Sequence, residues 1–152
     1  MVGTISSATP KLNTFYILRC MEWDEFDEQM RELQAKIDFT PDLIVGIARG
    51  GVIPATLLAK RLNVKDMFLL KLEKKGESAV SAYLTVDISG KNVLLVEDML
   101  ETGRSLIGGK RFLEARGAMV RTACLYTMPK SEIRPDYFLR QVSEVAQFPW
   151  NN

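Results

Sequence analysis

Val93-Leu94-Leu95-Val96-Glu97-Asp98-Met99-Leu100-Glu101-Thr102-Gly103-Arg104-Ser105 joins an apolar run, three carboxylates and a turn with helical residues after it. Asn92 to Val96 is short, continuous and rich in branched side chains, the pattern of a strand buried on both faces. Helical spacing begins near Arg104 and runs to about Ala115, where Arg116-Gly117 supplies a stop. The same strand, turn and helix unit recurs upstream. Asp42 to Ala48 predicts a buried strand ended by Gly50-Gly51, and Val52 to Leu62 predicts the helix after it, with Pro54 tolerable in its first turn. Met67 to Leu72, Tyr83 to Val86 and Met119 to Thr127 predict further strands, and Phe15 to Leu18 a short one. Asp24 can cap a helix that places Phe26, Met30, Leu33 and Ile37 on one face. Strands alternating with helices imply an α/β fold, a doubly wound and mostly parallel sheet flanked by helices.

The chain has 152 residues, 47% hydrophobic and 26% charged, which suits one soluble domain with a well-buried core. No linker, repeat or low-complexity stretch marks a second unit. The expected organisation is a flexible N-terminal segment, residues 1–14, followed by one domain over 15–152. Histidine is absent. That excludes an imidazole-activated nucleophile, a histidine-ligated zinc and a histidine proton shuttle, leaving acid and base work to carboxylates, lysines or tyrosines. The 20 Lys+Arg against 19 Asp+Glu leave a formal net charge of +1, so neither nucleic acid nor a membrane is an expected partner. Anions must be captured locally. Cys20 and Cys124 are far apart and lack C-x-x-C spacing, the N-terminal stretch lacks the apolar core of a signal peptide, and no run has membrane-spanning length. Reduced thiols in the cytoplasm are expected.

In a doubly wound sheet, ligands bind beyond the carboxyl ends of the strands. Two segments occupy such places: Ala48-Arg49-Gly50-Gly51 and Glu97 to Ser105. In the second, backbone N–H groups from Thr102 to Ser105, with the two hydroxyls, can surround a phosphate at the positive end of the helix, while Gly103 allows close approach. Glu97 and Asp98 are acceptors suited to sugar hydroxyls or to Mg²⁺, and Glu101 is placed to act as a base. The spacing alone fits equally a solvated acidic loop beside an ordinary helix cap. No G-x-x-x-x-G-K-[ST] or G-x-G-x-x-G occurs. Arg49, between a buried strand and a Gly-Gly turn, is a candidate anion donor.

The run from Val93 to Ser105 resembles the 5-phosphoribosyl pyrophosphate (PRPP) motif of type I phosphoribosyltransferases, in which two acidic residues are followed after a short step by an acidic residue, Thr and Gly. The resemblance continues at Ile44-Val45-Gly46-Ile47-Ala48-Arg49-Gly50-Gly51-Val52-Ile53-Pro54, like the family's pyrophosphate loop. It reaches Arg134-Pro135-Asp136-Tyr137-Phe138 and Phe148-Pro149-Trp150, like the C-terminal part of the 6-oxopurine branch. It covers most of residues 15–150, in order, and is nearest the bacterial and archaeal xanthine-guanine and hypoxanthine enzymes.

The resemblance implies the family fold, with a small hood built from the chain ends, and Mg²⁺-dependent transfer of ribose 5-phosphate from PRPP to a purine nucleobase with release of pyrophosphate. It implies that Glu97 and Asp98 hold the ribose hydroxyls and the metal, directly or through PRPP and water. The Glu101, Thr102, Gly103, Arg104, Ser105 turn would hold the 5-phosphate, and Arg49, Gly50 and Gly51 the pyrophosphate. Glu101 and Asp98 would be the catalytic carboxylates, Glu101 standing where the family often has an Asp. Glu73 to Ser78 matches in position the loop that covers the family's site, without the aromatic residue often found there. Relatives form homodimers or homotetramers.

The departures cluster where a purine would bind. Met128 stands where the 6-oxopurine enzymes place a Lys before Pro129, and Val145 where they place a Trp that stacks on the base. The expected base pocket is therefore Met128, Lys130, Val145 and Phe148, with Lys130 reaching in from two residues on and Tyr126 or Phe148 offering a stacking face. Core packing is an equal expectation for Met128 and Val145, and for Trp23 and Trp150 packing is the stronger one. Arg134 and Asp136 suit a structural pair. The competing reading is a non-catalytic PRPP- or nucleotide-binding regulator of the same fold.

Overall fold

Four short runs, three of them apolar throughout or nearly so and the fourth, Met119–Ala123, interrupted by Arg121 and Thr122, line up side by side in the computed structural model, which describes residues 19–75, 79–81 and 84–151. They are β1 (Leu43–Ile47), β2 (Met67–Leu70), β5 (Asn92–Val96) and β7 (Met119–Ala123), all parallel in the order β2-β1-β5-β7. The helices are α1 (Trp23–Lys36), α2 (Val52–Arg61) and α3 (Arg104–Glu114).

Residues of β1 and β5 alternate between two cores. Ile44, Leu94 and Val96 join Phe26, Met30 and Leu33 of α1 and Ala55, Leu58 and Ala59 of α2. Leu43, Val45, Ile47, Val93 and Leu95 join Leu106 and Leu113 of α3 on the other face. Every residue of β1 is buried, which explains why its sequence shows no polar alternation. The predicted α/β sheet covered by helices on both faces is the observed fold.

Several expected boundaries change. The run from Met119 to Thr127 is not one strand: β7 ends at Ala123, and β8 (Tyr126–Thr127) pairs instead with β6 (Met99–Leu100) and β9 (Arg140–Gln141) in a second parallel sheet. Leu84 to Val86 is not strand. The hairpin before β5 is formed by β3 (Glu73–Lys75) and β4 (Ala79–Ser81), antiparallel to each other, so the loop expected over Glu73 to Ser78 begins as a strand. Gly76 to Ser78, Tyr83 and the strand expected over Phe15 to Leu18 lie outside the described residues. The first helix begins at Trp23, one residue before the expected cap, and Glu22 precedes it with no capping side-chain bond.

The C-terminal segment folds over the same end of the sheet. Met21 N–H donates to Gln147 O at 2.8 Å, and the Cys20 thiol lies 3.3 Å from Phe148 O, tying the chain before α1 to the Phe148-Pro149-Trp150 motif. Cys124 is buried elsewhere, donating to Tyr126 O at 3.2 Å. No helix among the described residues is long and apolar enough to cross a membrane.

Candidate active site

The strand order decides where the loops meet. From β1 the chain steps outward to β2, then returns to the other side of β1 as β5 and continues outward to β7. The two halves diverge between β1 and β5, so the segments following those strands flank one crevice, the position where open α/β sheets bind ligands.

Glycine makes that meeting close. A Cβ on Gly50 would lie 2.5–2.6 Å from the Asp98 carboxyl atoms, and one on Gly51 would lie 2.2 Å from Val96 O. Arg49-Gly50-Gly51 and Glu97-Asp98 therefore form adjoining walls of one site. Arg49 is exposed and follows a cis peptide bond from Ala48.

Glu97 ends β5 in a buried position, 9% exposed, with Asp98 half-buried beside it. Two carboxylates with little water between them disfavour each other's charge. Burial, and then the neighbouring Asp98, push the Glu97 carboxyl up to about 8, and burial raises Asp98 as well. Asp98 keeps acceptor bonds that favour its ionised form, among them Met99 N–H to Asp98 Oδ1 at 2.6 Å. The pair is a concentrated acidic site whose oxygens suit hydroxyl donors or a cation.

This has a measurable consequence for the folded protein. Glu97 retains its proton to about pH 8 in the fold, against an ordinary value of 4.5. Between those values the folded state binds more protons than the unfolded chain, so this group's contribution to stability is complete below pH 4.5 and is lost as pH rises toward 8. Melting temperatures measured from pH 5 to 8.5 are expected to decline with pH in the wild type and to decline less in Glu97→Gln. Equal slopes in the two proteins would contradict the burial argument.

Beyond the pair, Gly103 takes a left-handed conformation, φ 76°, and opens α3 without a capping side chain. No acidic residue occupies the first turn of α3. Thr102 Oγ1 accepts from Arg104 N–H at 3.4 Å, while Arg104 and Ser105 are exposed. The positive helix end thus faces solvent beside the carboxylate pair.

A cleft of 220 Å³ runs from Asp98, Met99 and Glu101 to the facing segment Val145, Ala146, Gln147, Phe148 and Asn151. Of the expected base-pocket residues, Val145 and Phe148 line the cleft, while Met128 and Lys130 do not. Val145 is exposed at the cleft wall. Lys130 is exposed and donates to Glu101 Oε1 at 2.8 Å, so its ammonium does reach the cleft edge. Met128 is half-buried outside the lining, its N–H bonded to Leu100 O.

Phe148 touches the cleft but corrects the stacking expectation. Its ring is 1% exposed, stacked with Tyr126 at 5.8 Å and with Trp150 at 4.8 Å. Tyr126 is buried too, its hydroxyl donating to Gln29 Oε1. Neither has a free face for a base. Trp150 packs edge-on against Phe26, as expected of a packing residue, and Trp23, although 54% exposed, packs against both Phe26 and Trp150. Asp136 accepts from Thr122 N–H and Oγ1, and Arg134 lies over the Phe138 ring. Gln147 and Asn151 also line the cleft, and their only sequence signal is that they bracket the Phe-Pro-Trp motif.

The phosphoribosyl transferase domain model matches residues 22–152. The chain belongs to the phosphoribosyltransferase family. It is 31% identical over 140 residues to the xanthine-guanine phosphoribosyltransferase of Chromohalobacter salexigens, an alignment covering 86% of this chain and 82% of that one. An orotate phosphoribosyltransferase of Pyrobaculum islandicum is also 31% identical, but over 99 residues, 65% of this chain and 50% of its own. Among solved structures, the purine phosphoribosyltransferase of Pyrococcus horikoshii superposes with a TM-score of 0.79 at 29% identity, covering 88% of this phosphoribosyltransferase and 94% of that chain.

Proposed function

We propose that this phosphoribosyltransferase transfers ribose 5-phosphate from PRPP to a purine base, with hypoxanthine, guanine or xanthine as the leading acceptors. The observation that carries the reading is the juxtaposition of Gly50 with the Asp98 carboxylate, beside the exposed, glycine-opened start of α3. That geometry offers, side by side, donors for a pyrophosphate, acceptors for ribose hydroxyls and donors for a 5-phosphate. The purine assignment draws on the purine and xanthine-guanine relatives, whose matches cover more of this chain than the orotate match does.

Displacement at the anomeric carbon builds positive charge on the ribose ring and negative charge on the departing pyrophosphate. In this reading Glu97 and Asp98 accept hydrogen bonds from the ribose hydroxyls and face the ring as its charge develops. Arg49, with the backbone of Gly50 and Gly51, holds the leaving group. The N–H groups of Thr102 to Ser105 hold the 5-phosphate and so fix the sugar. Glu101, at the cleft edge, takes a proton from the attacking nitrogen of the base.

Among the described residues no group of three or more metal-binding side chains converges. Two carboxylates at one wall suit Mg²⁺, which is commonly held by one or two carboxylates together with substrate oxygens and water. Glu97 and Asp98 would hold it, and bound Mg²⁺ would offset charge on the pyrophosphate.

A second reading, a PRPP-binding regulator without turnover, draws on the base side of the cleft, where Val145 stands in place of the stacking Trp that the resemblance implies, and on Met128, which lies outside the cleft lining and offers no cation. Incubation with PRPP, Mg²⁺ and a panel of purines and orotate separates the two. Release of pyrophosphate with a purine nucleotide is expected. Tight PRPP binding with no product from any base would leave only the regulator.

A further inference from the structure

Three contacts strap residues 130–133 across the phosphate turn. Lys130 Nζ pairs with Glu101 Oε1 at 2.8 Å, Glu132 N–H donates to Thr102 O at 2.9 Å, and Glu132 Oε1 accepts from Arg104 Nε at 3.0 Å. The α-carbon of Gly103 lies so close to this strap that an added Cβ would come within 2.6 Å of Ile133 Cγ2 and 2.7 Å of Ser131 Oγ. The backbone bond to Thr102 O and the close approach of Gly103 to Ser131 and Ile133 therefore place Glu132 beside Arg104.

Arg104 is the first residue of α3, whose opening turn contains no acid of its own. Glu132 supplies the missing negative charge from a distant part of the chain, at the end of the helix where an anion is favoured. The guanidinium that a phosphate would use is already engaged by a carboxylate. Both side chains are more than half exposed, so the pair is weak enough to exchange: ion pairs of this kind are screened by water and salt.

We propose that Glu132 is a positioning residue that occupies Arg104 until a phosphate group displaces it, and so sets the affinity of the turn for phosphate monoesters. The inference rests on the PRPP reading of the same turn. Ligand entry then exchanges a carboxylate for a phosphate on Arg104, while the Glu132 N–H bond to Thr102 O holds the strap in place. Removing the Glu132 charge relieves the competition without removing that backbone bond.

Titration calorimetry of the full chain with PRPP and with ribose 5-phosphate tests this in wild type, Glu132→Gln, Arg104→Gln and the double variant. Glu132→Gln is expected to tighten ribose 5-phosphate binding by about three- to fivefold at low salt, with the gain shrinking at high salt. The gain should vanish in the Arg104→Gln background, a result that a merely structural role for Glu132 would not produce. Unchanged or weaker binding by Glu132→Gln, or an equal gain without Arg104, would overturn the inference. If PRPP binds wild type and Glu132→Gln equally, the inference alone falls; if no form of the protein binds PRPP or ribose 5-phosphate, the PRPP reading falls with it.

Discussion

Asp98→Asn is expected to weaken PRPP binding by about 100-fold while the variant melts no lower than the wild type. A charged acceptor contributes more to a bound hydroxyl or cation than an amide does, and losing a preorganised charged contact in a shielded site typically costs about 2–4 kcal/mol. Stability moves the other way because Asp98 is itself disfavoured by burial and its charge raises the Glu97 carboxyl. The amide removes that repulsion. Equilibrium binding of PRPP, paired with thermal melting, checks both halves; wild-type affinity in the folded variant would show that the ribose site lies elsewhere.

The second large effect separates two neighbouring glycines. Gly51→Ala would drive a methyl group to 2.2 Å from Val96 O, a backbone atom that cannot rotate away. The loop after β1 and the end of β5 must then part, disturbing the most buried pair of strands. A loss of about 3 kcal/mol is expected, or roughly 10 °C in Tm for a chain of this size. Gly50→Ala meets the Asp98 carboxyl group instead, at 2.5–2.6 Å. A side chain can turn aside, so this variant should fold with a small change in Tm and lose PRPP binding. Calorimetric melting and ligand titration of both variants give the comparison. Equal effects of the two substitutions on stability would contradict the distinction between a backbone neighbour and a side-chain neighbour.

These two glycines also mark how far sequence reasoning reaches. Their place between an apolar run and a helix identifies a strand-to-helix junction, and their lack of side chains suggests close approach. What they approach is invisible in the sequence. Asp98 becomes the neighbour of Gly50 only because β5 returns beside β1. The over-long strand expected from Met119 to Thr127 has a related cause. Its residues run on with no Gly, Pro or other turn signal, but after Ala123 the partner changes, with β8 leaving the main sheet to pair with β6 and β9. Periodicity reports burial and does not report which strand supplies the hydrogen bonds. Leu84 to Val86, expected as strand, is not one for a comparable reason: β-branched residues mark a preference for extended backbone, but the hairpin pairing is made by Ala79–Ser81.

The base side of the cleft was the least legible part. Phe148 is aromatic, lies in a family-like motif and borders the cleft, all of which suggest a stacking platform. Tyr126 and Trp150 take its faces, and that packing depends on the C-terminal segment folding back toward α1. Lys130 was expected near the base, and the structure adds that its ammonium is paired with Glu101. Glu132 carried no sequence signal, since an acid in a polar stretch looks like any solvated residue.

By itself the sequence determined the order of buried strands and helices, and it located the acidic pair and phosphate-type turn at the end of one strand. Both are local consequences of apolar runs, glycine and helix-start chemistry. Only the tertiary structure decided that Gly50 meets Asp98, that the faces of the Phe148 ring stack on Tyr126 and Trp150, and that Glu132 reaches Arg104. Those contacts join segments whose neighbours are set by strand order and by backbone hydrogen bonds across the fold, and no pattern within either segment encodes them.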